Sequence, residues 1–339
     1  MSSPSLGLTL ISPGTLSLLQ DAGRFGMTAL GLTQGGPMDG HSFAWANALV
    51  GNPRNSTVIE HHIGGLIVQA QQACTLAVTG AVATITVNGK PVPSWQALAL
   101  KAGDELSIGY ATQGLRFYIA VAGGFAVTPQ FGSTATVMRE GIGGLQQDGA
   151  KLQAGACLAI GTPSLTQAVA SPSQQIQQYT LARSARSEPL PLRVLLGYQG
   201  AALTTLAGSG SEAYFSASEQ ARFFLSPYQV STQGDRMGIK LQGAAIRAQR
   251  QQLLSEGISL GAIQIPPDGQ PIVLLQDRQT LGGYPKLGNV LSLDCWALAQ
   301  ASAGTLVQFV PIDSFESHNA LCLYHAGFAA SLDKVVRRV

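Results

Sequence analysis

The segment from Asp277 to Val290, DRQTLGGYPKLGNV, concentrates groups that bind small molecules and is unsuited to a buried helix or a long strand. The pair Gly282 and Gly283 lets the backbone approach a ligand closely, and successive N–H groups there can form an anion-binding concavity. Gln279 and Thr280 add an amide and a hydroxyl. Because directional groups on a loop of a rigid scaffold are typical of binding sites, we predict that these four residues contact substrate.

The same segment carries groups with acid–base or electrostatic capacity. Tyr284 supplies a rigid phenol, Lys286 a mobile positive charge, and Asp277 a carboxylate that can accept a proton or hold a cation. Two further groups precede them: Arg236 lies in the glycine-rich cluster GDRMG, and Gln264 lies just before the turn sequence PPDG. We predict that these five residues form the catalytic set. The alternative for the Arg236 cluster is an ordinary turn whose arginine pairs with a carboxylate.

The N-terminal half contains two comparable clusters, QDAGRFG from Gln20 and GGPMD from Gly35. They offer Asp21, Arg24 and Asp39 as a second candidate site. A purely structural interpretation stays open here too, with the first cluster as a turn and Asp39 as the N-cap of a helix.

Several standard motifs are absent from the sequence, including the phosphate-binding loop GxxxxGK[ST], the GxSxG elbow and the HExxH zinc motif. The four cysteines share no CxxC spacing. His61 and His62 follow Glu60, but adjacent residues of a strand point to opposite faces and make poor co-ligands. We therefore predict no metal in this chain. No lysine lies in the Met-Lys-Met context that accepts biotin, so biotin would have to come from a partner.

The composition narrows the classes of partner. The 339 residues hold 20 Lys and Arg against 18 Asp and Glu, a net charge of +2 that gives no electrostatic reason to expect nucleic acid. No apolar run of 18 or more residues and no signal peptide are evident, so we predict no membrane association and a reducing, cytoplasmic location with free thiols.

The elements that must position these candidates are mostly short strands, because 40 glycines separate brief apolar runs. In the first half we predict a helix that follows Asp39 and stops at Gly51, and a type I′ hairpin turn at Asn88-Gly89. The predicted strands there, which make a barrel or a sandwich, are Leu66–Ala70, Thr75–Val78, Thr84–Val87, Ala97–Leu100, Glu105–Ile108 and Arg116–Val121.

The second half is also predicted to be strand-rich, with helices expected near Ser216–Arg222 and at Asp294–Ala301. A Gln/Ser-rich stretch separates the halves. We predict an N-terminal domain over 1–165, a linker over 166–190, a C-terminal barrel over 191–318 and a C-terminal tail over 319–339 whose basic run from Lys334 is solvated. The predicted strands of this half are Leu192–Leu196, Gln229–Thr232, Ile239–Leu241, Ile263–Ile265, Pro271–Leu275 and Leu306–Val310.

Ordered sequence blocks resemble one known family over roughly residues 8–312. They are QDAGRFG, GGPMDGHSFAWANALVGN, AGDELSIG, YIAVAGG, DRMGIKLQG and the long block SEGISLGAIQIPPDGQPIVLLQDRQTLGGYPKLGNV with its continuation. They resemble the biotin-dependent carboxyltransferase family, also called allophanate hydrolase subunit 2 or KipA-like. The resemblance implies a mainly β protein with two cyclophilin-like β-barrel units and a few short helices.

The resemblance also implies a function in a complex. The best-defined bacterial members are the C subunits of an ATP-dependent 5-oxoprolinase, which opens 5-oxoproline to L-glutamate. The C subunit works with a KipI-like protein, which is the B subunit, and with a LamB/YcsF-like A subunit. In that case the complex uses ATP, and this chain contributes to an amide- or lactam-hydrolysing activity.

Two alternatives stay open at this stage. One is a carboxyltransferase that moves a carboxyl group from carboxybiotin to urea or another amide. The other is a non-catalytic regulator that binds a KipI-like histidine kinase inhibitor. The sequence departs from the family pattern at Thr134, Asp148, Lys240 and Leu281; an Arg-to-Lys change such as that at Lys240 removes bidentate binding of carboxylates.

Overall fold

The computed structural model describes residues 7–163, 172–181, 188–200, 214–249 and 253–336. The chain divides into two compact units, Met1–Ala182 with Ala326–Val339, and Arg183–His325. The domain limits drawn from the sequence stay a prediction, since 164–171 and 182–187 lie outside the described residues. The prediction of a mainly β protein with few helices is confirmed.

The first unit is built from two antiparallel sheets, ordered β11-β1-β4-β9-β6-β7 and β2-β3-β10-β5-β8. Buried residues of both sheets, Leu8 and Ile59 among them, pack into one apolar core. The strands are β1 Leu8–Pro13, β2 Leu16–Gln20, β3 Val58–His62, β4 Leu66–Ala70, β5 Cys74–Val82, β6 Ile85–Val87, β7 Lys90–Val92, β8 Ala97–Leu100, β9 Glu105–Ile108, β10 Gln113–Val121 and β11 Cys157–Leu158.

Helix α1, Gly40–Leu49, has Asp39 as its N-cap, as predicted. The Asn88-Gly89 turn joins β6 to β7, and φ is positive at both residues (51° and 76°), as a type I′ turn requires. The unit also contains the four-residue helix α2, Gln174–Gln177, and 3-10 helices at Thr28–Leu30 and Met138–Glu140.

The second unit is a closed seven-stranded barrel, ordered β12-β19-β16-β17-β14-β13-β20, with a separate two-stranded ribbon of β15 and β18. The parallel pairing of β12 with β20 closes the barrel. Its strands are β12 Leu190–Leu196, β13 Pro227–Gly234, β14 Gly238–Gly243, β15 Glu256–Gly257, β16 Ala262–Gln264, β17 Ile272–Leu274, β18 Leu281–Gly282, β19 Lys286–Val290 and β20 Leu306–Ile312.

Three further helices follow in the chain: α3 Ala217–Leu225, α4 Ser292–Ala299 and α5 Ser314–Val336. The first two correspond to the predicted helices, with shifted ends. Helix α5 includes most of the segment predicted as a C-terminal tail. Asp313 and Glu316 each accept a hydrogen bond from the other's backbone N–H, a capping box that starts this helix. Among the described helices, none has the length and apolarity to span a membrane.

Candidate functional site

The arginine and aspartate assigned to the catalytic set bind each other. Arg236, in the turn between β13 and β14, donates from Nε and Nη2 to the two carboxylate oxygens of Asp277 at 2.8 and 2.9 Å. The backbone N–H of Asp277 donates to the Arg236 carbonyl at 2.8 Å. Both side chains are buried. This bidentate pair neutralises both charges and fixes the start of the glycine-containing segment against the β13–β14 turn.

Gln264, Gln279 and Gly282 converge on one place. Gln264 ends β16 with 3% of its surface exposed, and its Nε2 has no hydrogen-bond partner among the described residues. A methyl group built on Gly282 would lie 2.8 Å from Gln264 Nε2 and 3.3 Å from Gln279 Nε2. Two carboxamide nitrogens therefore approach the same face of Gly282, and only a glycine leaves the space between them open.

Lys286 belongs to a polar network that the sequence does not predict. Its Nζ lies 3.0 Å from Glu256 Oε1 and donates to the Gly257 carbonyl at 2.9 Å. Tyr198 donates to Glu256 Oε2 at 2.5 Å, and Gln199 Nε2 donates to Glu256 Oε1 at 2.6 Å. The partners of Glu256 come from β19 and from the turn after β12, so no local motif announces them.

The strand register joins the two groups of residues. Glu256 lies directly opposite Gly282 in the β15–β18 ribbon, and Gln264 lies directly opposite Lys286 in β16–β19. Directly opposite residues of an antiparallel pair project to the same face. We call Gln264, Gln279, Gly282, Glu256 and Lys286 the Gly282 cluster.

The electrostatics of the cluster keep Glu256 charged. Burial opposes ionisation of Glu256, but hydrogen bonds from Tyr198 and Lys286 outweigh it and hold the pKa of that carboxyl below its ordinary value. The hydrogen bond to Glu256 in turn raises the pKa of the Tyr198 phenol. The cluster thus presents neutral amide donors beside an ionised carboxylate.

The other residues predicted in this segment, Tyr284, Thr280 and Gly283, lie outside the Gly282 cluster. Tyr284 is 46% exposed, and the Thr280 carbonyl accepts the Ile258 N–H at 3.0 Å. A methyl group on Gly283 would lie 3.4 Å from the Leu253 carbonyl, so this glycine is set against backbone rather than against the two amides. Of the predicted residues, the structure brings Gln264, Gln279, Gly282 and Lys286 together in the cluster. Arg236 and Asp277 form an ion pair with each other.

The first-half candidates Asp21 and Arg24 hold a loop. Asp21 accepts hydrogen bonds from the Ser133 hydroxyl at 2.5 Å and the Thr134 N–H at 2.8 Å. Arg24, 1% exposed, donates to three backbone carbonyls of the segment 130–135. These bonds tie the 21–24 turn to a second loop of the same unit, which is a structural use of both charges.

Asp39 acts as the cap of α1. Its carboxylate accepts the N–H groups of His41 and Ser42 at 3.1 Å each, the Ser42 hydroxyl at 2.7 Å and the Thr180 hydroxyl at 3.0 Å. The side chain is fully buried. A carboxylate with four such donors serves the helix start.

The positions that depart from the family pattern are accommodated locally. Lys240 forms an ion pair with Asp268 at 2.6 Å, and the Thr134 hydroxyl lies 2.7 Å from that of Thr57. Leu281 is exposed, and Asp148 accepts the Ala150 N–H.

The side chains around these candidates offer little to a metal or a nucleotide. In the described ranges, no three or more His, Cys, Asp or Glu side chains gather as metal ligands. His61 and His62 lie on β3, and His61 is in contact with the Ser17 hydroxyl at 2.9 Å. In the Gly282 region Asp277 pairs with Arg236, Glu256 pairs with Lys286, and the Arg278 guanidinium donates to the backbone carbonyls of Ile258 and Leu275.

Comparison with known proteins gives consistent matches. The family model "Carboxyltransferase domain, subdomain A and B" matches residues 30–311. The chain is 34% identical to the 5-oxoprolinase C subunit of Escherichia coli over 305 residues, covering 89% of this chain and 90% of that protein. It is 33% identical to the Haemophilus influenzae C subunit over 300 residues, covering 88% and 89%.

A solved structure shares the architecture. The Kluyveromyces lactis urea carboxylase matches with a TM-score of 0.81 and 25% identity, over 94% of this chain and 28% of that one. The family match spans the barrel and the whole Gly282 cluster. The chain belongs to the carboxyltransferase domain family, subdomains A and B.

Proposed function

We propose that this chain is the C subunit of an ATP-dependent 5-oxoprolinase and that, with the B and A subunits, it opens 5-oxoproline to L-glutamate. The observation that carries the proposal is the pair of 5-oxoprolinase relatives at 34% and 33% identity, each matched over about nine tenths of both chains. A relation of that extent covers nearly the whole of each relative rather than one module of a larger enzyme.

The Gly282 cluster is proposed as the site that binds the lactam carbonyl. Gln264 Nε2 and Gln279 Nε2 would donate hydrogen bonds to the carbonyl oxygen in the space that Gly282 leaves open. Activating a stable amide places negative charge on that oxygen, and preorganised donors in a site shielded from water stabilise such charge most effectively. A buried amide without a partner gains a full hydrogen bond when the oxygen arrives.

The remaining predicted residues are given supporting roles. We call the space over Gly282 between Gln264 Nε2 and Gln279 Nε2 the carbonyl cradle. Lys286 holds Glu256 beside this cradle. Tyr284, exposed at the edge of the segment, is proposed to contact the substrate or handle a proton. Thr280 and Gly283 shape the segment. Arg236 and Asp277 act through position, since their ion pair fixes the chain two residues before Gln279.

ATP and biotin are assigned to partners in this proposal. Lys286 is already paired with Glu256 and the sequence has no phosphate-binding loop, so we derive no step through ATP on this chain. The complex, active in the cytoplasm, would use ATP on a partner chain, while this chain binds the lactam. The proposal therefore requires the KipI-like and LamB/YcsF-like proteins for turnover.

Carboxyl transfer is the second candidate, favoured by the fold shared with the urea carboxylase structure. Urea also presents a carbonyl oxygen that two amide donors can bind. The regulator alternative gains no support from the cluster, because a pure interaction surface calls for aromatic and apolar anchors rather than buried amides.

Reconstitution tests the proposal. The chain is co-purified with its KipI-like and LamB/YcsF-like partners, and glutamate and ADP are measured with and without 5-oxoproline. We expect glutamate formation that needs ATP and all three proteins. Glutamate formed equally well without this chain would contradict the proposal. Transfer of labelled carboxyl from a biotinylated carrier to urea, with no lactam opening, would support the second candidate.

A further inference from the structure

Glu256 is a carboxylate with one acceptor position left over. An ionised carboxylate offers about four lone-pair positions on its two oxygens. Gln199 and Lys286 approach Oε1, and Tyr198 donates to Oε2. One position on Oε2 therefore stays available, and the side chain keeps 29% of its surface exposed.

The register directs Glu256 toward the carbonyl cradle. Glu256 and Gly282 are directly opposite in the β15–β18 ribbon, about 5 Å apart at their Cα atoms in such a pair. Their side-chain directions share one face of the ribbon. On that face lie the two nitrogens, Gln264 Nε2 and Gln279 Nε2, that a methyl group on Gly282 would meet.

The cluster thus offers donors and an acceptor side by side. An amide in a small ring holds its C=O and N–H on the same edge, and urea does so as well, whereas an ordinary trans amide points them to opposite sides. Adjacent amide donors and a carboxylate acceptor match that shared edge. Ile258, whose Cδ1 would lie 3.0 Å from the same methyl group on Gly282, adds an apolar wall.

We propose that Glu256 is a substrate-recognition residue that accepts the N–H of a lactam or ureido group while Gln264 and Gln279 bind its carbonyl oxygen. This inference rests on the proposed function for the identity of the lactam, and it assigns the selection of the N–H edge to Glu256. Tyr198 and Gln199 are positioning residues, because they contact the carboxylate and fix its orientation. Lys286 balances its charge.

The experiment uses the assembled complex with Glu256→Gln, which keeps the shape of the side chain and removes the charged acceptor. We expect KM for 5-oxoproline to rise about tenfold or more, with a smaller change in kcat, because a hydrogen bond to a charged group is lost. N-methyl-5-oxoproline, which lacks the N–H, is the matched probe. It should inhibit the wild type weakly, and the preference for the N–H compound should shrink in Glu256→Gln.

Two further variants complete the design. Tyr198→Phe keeps the carboxylate but removes one of its donors, and should raise KM less than Glu256→Gln does. Asp268→Asn alters a carboxylate of the same unit that pairs with Lys240, outside the cluster, and should leave KM and the preference unchanged. Unchanged KM and preference in Glu256→Gln would overturn the inference and leave the proposed function intact.

If the wild-type complex does not open 5-oxoproline, the proposed function fails. The role of Glu256 in recognising the N–H is then tested by measuring ligand binding to the full chain. The probes are 2-pyrrolidinone and its N-methyl derivative, followed by ligand-detected NMR. A preference of about tenfold or more for the N–H compound, lost in Glu256→Gln, supports the inference. Equal binding of both probes, or binding of neither, overturns it.

Discussion

Two polar, glycine-rich regions of this chain look alike in sequence and differ in how their hydrogen bonds are satisfied. In the first unit, the Asp21 carboxylate accepts three hydrogen bonds and the Asp39 carboxylate accepts four. In the second unit, Gln264 is buried, yet its Nε2 has no partner among the described residues. Buried unsatisfied groups are rare in folded proteins and cost about 1–3 kcal/mol, so such a donor points to a ligand.

The difference separates structural polar clusters from functional ones more sharply than residue type does. A structural cluster should lose stability when it is altered, and a functional one should lose activity. Each of the following variants tests on which side of that division a residue lies.

The largest effect is expected from Arg236→Met, which leaves Asp277 buried without its partner. We expect the free energy of unfolding to fall by about 3–5 kcal/mol, the usual cost of an uncompensated buried charge. The free energy of unfolding is measured by urea denaturation, with hydrogen exchange of peptides from the second unit as the readout. The double variant Arg236→Met/Asp277→Leu should recover most of the loss. If Arg236→Met lowers turnover without destabilising the barrel, the pair belongs to the chemistry.

Acidification should weaken the first unit through the two histidines of β3, buried His61 and half-buried His62. Burial lowers the pKa of His61 and of His62 to about 4, with Arg116 adding to the effect at His62. Between about pH 6.5 and 4 these histidines are protonated in the unfolded chain but neutral in the folded chain. The free energy of unfolding therefore falls as the pH falls. For His61 this is on the order of 3 kcal/mol. Unfolding free energies at pH 7 and about pH 4.5 measure it.

The matched control for that prediction is His61→Gln, which cannot titrate in this range. Its unfolding free energy should depend less steeply on pH than that of the wild type. An identical pH dependence in the variant would show that His61 is not responsible.

Filling the cradle should abolish activity and spare the fold. The methyl group of Gly282→Ala would lie 2.8 Å from Gln264 Nε2 and 3.0 Å from Ile258 Cδ1. We expect kcat/KM for the lactam to fall about 100-fold or more, equivalent to about 2.7 kcal/mol, as when an oxyanion donor is displaced. Steady-state kinetics of the complex measure it. Gly257→Ala, in the partner strand where a methyl group meets nothing within 4 Å, is the control and should stay active.

The smallest effect is expected from Asp39→Ala, in the first unit. Loss of the α1 cap should lower the free energy of unfolding by about 1–2 kcal/mol, with KM for the lactam unchanged. Thermal unfolding and steady-state kinetics together check both parts. A raised KM with unaltered stability would place a ligand site at Asp39 after all.

Much of the scaffold is predictable from local signals. Asp39 before an apolar run marks α1, Asn88-Gly89 marks a hairpin, and the strands at Leu66–Ala70, Ala97–Leu100 and Glu105–Ile108 have the predicted bounds. Helix α5 is absent from the sequence analysis, although the capping box from Asp313 to Glu316 is a local signal for its start. These features depend on residues that are close together in the sequence, so the spacing of apolar residues and the types of turn residue can predict them.

The site is only partly predictable, because its contacts join residues far apart in the chain. Residue type identifies Gln264, Gln279 and Gly282 as candidates for a site. It does not predict that the two amide nitrogens meet over Gly282. The network around Lys286 escapes prediction, since Glu256 lies 30 residues before Lys286 and Tyr198, which binds Glu256, lies 58 residues before Glu256. The pairing of Arg236 with Asp277, 41 residues apart, is likewise set by the barrel register.

The most direct measurement compares Gln264→Met with the wild type for both stability and turnover. If the unpaired amide is kept for a ligand, the apolar variant should be as stable as the wild type or more so, because a buried donor without a partner is removed. Turnover of the lactam by the complex should fall about 100-fold. A variant that is clearly less stable but turns over at the wild-type rate would contradict the account.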